Sequence, residues 1–538
     1  MAIPDDSAVP PFIDALMNPR CYPHAVTAVE RIETHISWVL LAGDYAYKIK
    51  KSVAPGFLDF STLEARHHFC LEELRLNRAT APQLYLEVLP LTGTPAAPRI
   101  GGEGRPFEYA LKMRRFAQDD LLDARIRRGD VDAALIDRLA QTIAAFHQRS
   151  AVAGPQSIHG APEAITPPAL DNFDQLARMA PPAAAVEPLQ RLRAWTANES
   201  VRLEPVFRRR QADGRVRECH GDLHLGNIAV IDGAPVLFDC IEFNPEFRWI
   251  DVISEIAFLV MDLLDRNLAP WAWRCLNRYL EISGDYAGVA VLRYYLVYRA
   301  MVRAKVALMH ARQPVAGAVR RGDEASCLRH LQLAARIAAF AAPALILMHG
   351  LSGAGKTTVS QALLERLGAV RLRSDIERKR LHGWPATARS ASAVGGGLYD
   401  AQATQRTYHQ LLYFAVSILD AGWAVIVDAA ALKKTARAGF RRAAAAAGAR
   451  FLIVSCAAPE AVLRERLRRR LAAGVDASEA TPDVLVQQRA TQEAFGADEV
   501  DVVMQVDAAG TAVDAIAADV AAVLSKQPTA AQSSASRR

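Results

Sequence analysis

The chain has 538 residues, of which 51% are apolar and 23% charged, and a formal net charge of +6. That length exceeds one ordinary core and implies two or three domains. The small positive excess admits anionic ligands such as nucleotides and gives no argument for a dedicated nucleic-acid binder. The cysteines (Cys21, Cys70, Cys219, Cys240, Cys275, Cys327, Cys456) are scattered, odd in number and without a CxxC pair, which fits a reduced cytoplasmic protein and excludes a zinc or disulfide frame. The start, MAIPDDSAVP, is acidic and does not read as a secretory leader. No charge-free apolar run is long enough to predict a membrane span.

In chain order, a short helix is expected around Pro11–Met17. His35–Leu41 and Tyr45–Lys51 flank the tight turn Gly43-Asp44 and read as strand, turn, strand. Lys48 and Lys50 are two apart, hence on one face of the second strand. Phe60–Arg78 reads as a helix opened by Ser61/Thr62 with Glu64 behind, and it carries the adjacent Glu72 and Glu73. Leu84–Leu91 and Phe107–Arg114 are further strands around the glycine-rich tip Gly101–Gly104. From Asp130 the pattern turns helical, with apolar residues at helical spacing over Ala133–Gln148. The Pro- and Ala-rich stretch 151–185 is expected to be a long loop or irregular insert, and Pro188–Phe207 another helix.

The stretch Cys219–Phe243 then carries His220-Gly221-Asp222-Leu223-His224-Leu225-Gly226-Asn227, with Asp239 twelve residues on. Asp232-Gly233 closes a hairpin between Ile228–Ile231 and Pro235–Phe238, which returns Asp239 beside Asn227. Phosphoryl transfer from ATP needs a carboxylate to aim the acceptor hydroxyl, and an amide oxygen with a second carboxylate to hold Mg²⁺ against the phosphates. Asp222, Asn227 and Asp239 have that spacing.

These residues resemble the aminoglycoside phosphotransferase branch of the protein-kinase-like fold, which carries HGDxxxxN. The resemblance implies a bilobal domain over residues 1–342, with Asp222 at the acceptor and Asn227 and Asp239 on Mg²⁺. It also implies a strand lysine, Lys48 or Lys50, on the ATP phosphates with a helix glutamate, Glu73 or its neighbour Glu72, as partner. A solvated basic strand edge is the other reading of the lysines. FDCIEF departs from Asp-Phe-Gly and adds Glu242, either a metal ligand or an exposed hairpin residue. Asp251, before the apolar helix Val252–Leu264, either braces the catalytic loop or is an ordinary carboxylate at a helix start. Arg299, Arg303 and Lys305, on the amphipathic Tyr294–Arg312, face an anionic acceptor or water. Leu328–Ala342 is expected to be a last helix before the boundary.

Ala344–Met348 is a buried strand running into Gly350-Leu351-Ser352-Gly353-Ala354-Gly355-Lys356-Thr357-Thr358, a G-x-x-x-x-G-K-[ST] loop between strand and helix. Its glycines let backbone N–H groups face phosphates, Lys356 reaches the β- and γ-phosphates, and Thr357 offers a hydroxyl to Mg²⁺. Strands at Val370–Arg373, Trp423–Val427, Arg450–Ser455 and Val500–Val506 alternate with helices near 404–421, 434–448, 459–472, 482–495 and 511–525. That alternation implies a doubly wound parallel sheet with functional groups at strand carboxyl ends, where Asp375, Asp428 and Asp507 fall.

This half resembles small P-loop kinases of the gluconate-kinase, polynucleotide-kinase and zeta-toxin type. The resemblance implies Asp375 as base at the acceptor hydroxyl, Arg378 as its companion, and Asp428 at a Walker-B-like place on Mg²⁺. It also implies an arginine lid over Leu463–Leu471, with Arg466, Arg469 and Arg470 for the phosphates. An N-cap for Asp375 and a solvated basic helix for the arginines are the plainer readings. Residues 383–402 read as a mobile substrate loop and 527–538 as a disordered tail. The whole resembles bacterial fusions of an aminoglycoside-phosphotransferase-like domain, α+β, with an α/β P-loop domain over 343–526. It implies a cytoplasmic Mg²⁺/ATP-dependent phosphotransferase with two nucleotide sites and unidentified small-molecule acceptors. The alternatives are a nucleic-acid 5′-hydroxyl kinase in the second half, for which 370–480 is poor in aromatics, or one domain sensing ATP to regulate the other.

Overall fold

Two runs of alternating apolar residues meet at Gly43-Asp44, and Gly43 takes a left-handed φ of +59° that closes the hairpin at the root of the first sheet. The computed structural model describes residues 9–54, 56, 58–154, 156–313, 317–339, 343–386, 388–389, 396–473 and 476–526. The expected tail 527–538 and part of the 383–402 loop lie outside the described residues. By packing, the chain divides into two compact units, Met1–Ile165 with Arg208–Leu259, and Thr166–Phe207 with Val260–Arg538.

The first unit holds an antiparallel sheet of β1 (Val29–Glu33), β2 (Ser37–Ala42), β3 (Tyr45–Lys50), β4 (Tyr85–Thr94), β5 (Ala97–Ile100) and β6 (Glu108–Arg114), ordered β1-β2-β3-β6-β4-β5. Strand β1 escaped the sequence reading because VERIE is mostly polar and lies at the sheet edge. Tyr22, Trp38, Leu40, Tyr47, Ile49 and Leu91 pack into one core on this sheet. The helix Leu63–Thr80 is capped by Thr62, whose hydroxyl accepts the Ala65 N–H at 3.1 Å. Its Leu74 joins Tyr85, Leu111 and Val236 in a second cluster. Downstream, β7 (Val216–Glu218) pairs with a later strand, β8 (Ile228–Ile231) and β9 (Ala234–Leu237) form the expected hairpin, and β10 (Trp249–Asp251) is the partner of β7. Asp232 and Gly233, with φ of +51° and +76°, supply the doubly left-handed turn such a two-residue hairpin requires.

The stretch expected to be irregular, 151–185, instead contains the helix Pro162–Arg178, with Pro167 and Pro168 inside it. Those prolines forfeit backbone donors. Ala169, Phe173 and Leu176, at helical spacing, are nevertheless all buried and hold the helix.

In the second unit the helices Ala269–Ser283, Val289–Ala311 and Gly317–Ala338 precede β11 (Ala344–His349), every residue of which is buried. With β12 (Val370–Arg373), β13 (Val425–Asp428), β14 (Arg450–Ala457) and β15 (Val503–Asp507) it forms a parallel sheet ordered β12-β13-β11-β14-β15. The unit is therefore of the doubly wound α/β type, and the ends of β11, β12 and β13 gather its polar groups. Among the described residues no helix is long and apolar enough to cross a membrane.

Candidate active sites

In the first unit, helix Leu63–Thr80 turns Glu73 inward and Glu72 away. Buried Glu73 takes both strand lysines: Lys48 Nζ donates to its Oε1 at 2.8 Å and Lys50 Nζ to its Oε2 at 2.7 Å. Burial alone would raise the Glu73 carboxyl, but the two ammonium groups outweigh it and hold it down at about 2. Glu72 instead accepts from Arg75 and from Arg248 Nη2 at 2.8 Å.

The lysines part company at their second partner. Lys48 donates to Asp239 Oδ1 at 2.6 Å, and Lys50 to Glu242. Lys50 and Glu242 are both buried, so Glu242 is not an exposed hairpin residue, and burial raises its carboxyl against the pull of Lys50. Asp239, 42% exposed at its side chain, is the open end of this chain of charges. Its backbone is left-handed at φ +66°, and its N–H donates to Tyr85 Oη at 3.1 Å. The next N–H, of Cys240, donates to Asn77 Oδ1 at 3.0 Å, so the helix that carries Glu73 also fixes the loop that carries Asp239.

The loop after β7 is equally tied. His220 Nε2 donates to Phe238 O at 2.7 Å, while its Nδ1 accepts the Asp222 N–H at 3.3 Å. Gly221, at φ +88°, passes so close to Phe247 that a Cβ would lie 2.8 Å from its carbonyl oxygen. Asn227 Nδ2 donates to Asp222 O at 3.0 Å and to its Oδ2 at 3.1 Å, which leaves the amide oxygen as the donor a cation would take. Asp251 grips Arg210 through both oxygens, at 2.6 and 2.8 Å, and accepts the Ile253 N–H at 2.8 Å, so it caps the following helix. From the following helix, one turn later, buried Glu255 reaches the His220–Asn227 loop and accepts the Gly221 N–H at 3.0 Å. Its only sequence signal was a carboxylate on an apolar helix.

In the second unit, Gly350, Gly353 and Gly355 have φ of +131°, +84° and +91°, and a Cβ at Gly350 would lie 2.4 Å from Cys456 O. This cradle admits glycine alone. Lys356, at the start of helix Lys356–Leu367, donates to Gly350 O and Leu351 O, both at 2.9 Å. Burial lowers its ammonium, opposed by Asp428. Ser352 N–H donates to Gln488 at 2.8 Å, Thr357 is half-buried and Thr358 exposed. Asp428 is buried at the end of β13 and accepts from Ser360 Oγ at 3.2 Å. The glycine cradle, the Thr357 hydroxyl position and the Asp428 carboxylate together fit Mg²⁺-nucleotide, as Asn227 and Asp239 do in the first unit.

Asp375 lies half-buried in the first turn of helix Ser374–Leu381, where its charge acts on Lys356 and Arg373. Arg378 is buried and turned to Leu398 O at 2.9 Å and Thr404 Oγ1 at 3.1 Å, over the Tyr399 ring. Of the arginines expected to form a lid, Arg466 donates to Gly353 O at 3.3 Å and Arg470 faces Asp476 at 3.5 Å. Arg469, 80% exposed, turns to Glu465. Asp507 accepts the N–H groups of Ala509 and Gly510, as a turn residue does. Arg373, which the sequence reading did not single out, lies 3.9 Å from Asp428 and 3.7 Å from Asp476. Its signal was the alternation of Arg371 and Arg373 along β12, which puts both on one face.

Residues 70–292 match the model of the phosphotransferase enzyme family APH, and residues 345–495 that of the AAA domain AAA_33. The uncharacterized protein Rv2004c of Mycobacterium tuberculosis H37Rv is 30% identical over 461 residues, covering 85% of this chain and 90% of the relative. A gluconokinase from Sinorhizobium meliloti 1021 is 24% identical, over 34% of this chain and 93% of its own, at a TM-score of 0.25. An amicoumacin kinase in complex with AMP-PNP, Ca²⁺ and Ami is 14% identical, over 57% of this chain and 88% of its own, at a TM-score of 0.37.

Proposed function

Because this chain belongs to the same family as its mycobacterial relative and joins an APH-type phosphotransferase domain to a P-loop kinase domain, we propose that it phosphorylates small-molecule hydroxyls at two separate ATP sites. ATP-dependent phosphoryl transfer is common to both domain types. The chemistries are assigned to residues 1–342 and 343–526, in the cytoplasm. The observation that carries this reading is that each compact unit has its own phosphate-type lysine beside a metal-type carboxylate: Lys48 on Asp239, and Lys356 under the influence of Asp428.

At the first site Lys48 bridges the ATP phosphates, while Lys50 secures Glu73 from behind through its second bond to Glu242. Asp222 accepts the proton of the acceptor hydroxyl and aims its oxygen. At the second, Lys356 exchanges its two carbonyl partners for phosphate oxygens, Asp375 takes the acceptor proton, and Arg378 shapes the acceptor wall through Leu398 and Thr404. Arg466 and Arg470, which face the P-loop and Asp476, contact phosphate before Arg469 does. Asn227 and Asp239 in the first unit, and Thr357 and Asp428 in the second, would hold Mg²⁺, which would supply neutralisation of phosphate charge.

The test uses the full chain, γ-labelled ATP and a metabolite pool. Asp222→Asn and Asp375→Asn should each remove a different labelled product and spare the other. Loss of every product with either substitution, while both sites still bind nucleotide, would make the two halves one catalytic cycle and end the two-acceptor reading.

A further inference from the structure

We infer that Glu281, on the helix Ala269–Ser283, is a positioning residue of the P-loop site: by holding Arg371 and Arg373 it keeps Asp428 available to the Mg²⁺-nucleotide. The inference rests on the reading of Asp428 as the metal-side carboxylate of that site.

The helix Ala269–Ser283 lies along the outer edge of β12, inside the same compact unit as the P-loop. Asn277 Nδ2 donates to Ala369 O at 2.9 Å, and its Oδ1 accepts the Arg371 N–H at 2.7 Å. One side-chain amide thus makes the two bonds a neighbouring strand would make. Trp273 packs on Gly368, where a Cβ would lie 2.8 Å from the indole, and Arg274 pairs with Glu365 at 3.0 Å.

Glu281 follows Asn277 by four residues and so shares its face. It is buried, and its Oε1 accepts from Arg371 Nε at 3.2 Å and Nη2 at 2.7 Å. Its Oε2 lies 3.8 Å from Arg373 Nη1 and 3.6 Å from Arg278. Both β12 arginines lead on to the site. Arg371 Nη1 donates to Ser360 Oγ at 3.3 Å, and Ser360 donates to Asp428 Oδ2 at 3.2 Å. Arg373 Nε lies 3.9 Å from the same oxygen. Burial pushes the Glu281 carboxyl up, but Arg371 and Arg373 outweigh it and hold it below the usual range, so it is a full negative charge.

A buried guanidinium that loses its carboxylate is left uncompensated, and it is drawn most strongly to the carboxylate within reach that water screens least. For Arg373 the other carboxylates are Asp428 and Asp476, the latter 3.7 Å from Nη2 and one-third exposed. Without Glu281 the buried Asp428 is drawn into an arginine pair and competes poorly for a cation.

The experiment titrates Mg²⁺ against mant-ADP fluorescence in the full chain, and the P-loop component is the part of the signal that Lys356→Ala removes. Glu281→Gln should raise the Mg²⁺ midpoint about tenfold, within ordinary site-to-site coupling, and leave mant-ADP affinity in EDTA unchanged. Asn277→Ala, which loosens docking without touching charge, should lower the unfolding temperature and leave the midpoint in place. Glu281→Gln/Arg373→Gln, again balanced in charge, should return the midpoint to near its original value, and it serves if the single variant does not fold. An unmoved midpoint in Glu281→Gln, an equal rise in Asn277→Ala, or no return in the double variant would overturn the role of Glu281 alone. A signal that Lys356→Ala leaves intact would overturn the P-loop reading and this inference together.

Discussion

Lys48 and Lys356, the two lysines proposed to meet phosphate, differ in what holds them. Lys48 is bound by side chains 25 and 191 residues away, Glu73 and Asp239. Lys356 is bound by backbone carbonyls only five and six residues away, in its own loop. The first site is thus a tertiary assembly of charges that neutralise one another, and Lys48 must give up a full ion pair to reach phosphate. The second is a local loop whose lysine gives up only neutral partners. Damage to the first should therefore register in folding as well as chemistry, and damage to the second in chemistry alone.

The sharpest break is Lys356→Ala. Turnover at the P-loop site should fall by about 10²–10³-fold, the usual cost of losing a charge-stabilising donor, with the unfolding temperature unchanged. Calorimetric nucleotide titration alongside thermal unfolding checks both halves of that statement, and a marked loss of stability would contradict the comparison. In the first unit, Asp222→Asn should lower turnover by about 10²–10⁴-fold, the usual range for a positioned acid or base, with MgATP binding retained. Asp239→Asn should weaken MgATP binding itself. The opposite pattern in titrations of the two variants would exchange their roles.

Lys50→Met sharpens the contrast further. It leaves Glu73 and Glu242 buried with one cation fewer, so stability should fall by about 3–5 kcal/mol, as when a buried pair is broken. Lys48→Met should cost less stability and more activity, because Lys48 reaches the open carboxylate. Denaturant melts of both variants decide whether Lys50 is structural.

The smallest effect concerns His349, buried at the end of β11 with Nδ1 3.0 Å from Ser455 Oγ and its ring 4.6 Å from Phe495. Burial, aided by Arg437 and Lys356, pulls its pKa down to about 4. The unfolded imidazole takes a proton near 6.5, which the folded one refuses. Its contribution to stability is therefore complete above about 6.5 and is lost as pH falls toward about 4. Unfolding temperatures measured at pH 7, 6 and 5 should fall less steeply in His349→Gln, and an identical slope would remove His349 from the account.

The same contrast separates what the sequence carries locally from what only packing decides. The P-loop and its sheet were legible because their signals are local: near-continuous apolar strands, a fixed glycine spacing, and β12 at Val370–Arg373 to the residue. The hairpin bearing Asp239 was legible through Asp232-Gly233. The choice between Glu72 and Glu73 was not, since neighbours on a helix differ by about 100° of rotation and only packing sets which one faces in. Nor was the pairing of Glu242 with Lys50, which joins residues 192 positions apart. The helix Pro162–Arg178 was hidden by its own prolines, whose local cost is overridden by the burial of Phe173 and Leu176. Glu255 and Glu281 belong to no motif, and each matters only through a neighbour that the fold supplies.

The amide of Asn277 has one more consequence, for solubility. Strand β12 is the last in its sheet. In a protein begun at residue 343 its Ala369 carbonyl and Arg371 N–H would face water unpaired, beside apolar Val370 and Leu372. Such a bare edge is a template for a strand from another copy of the chain. In the intact chain a helix from before the P-loop already occupies that edge with side-chain bonds that cannot propagate, so the segment 269–283 also shields the sheet from aggregation.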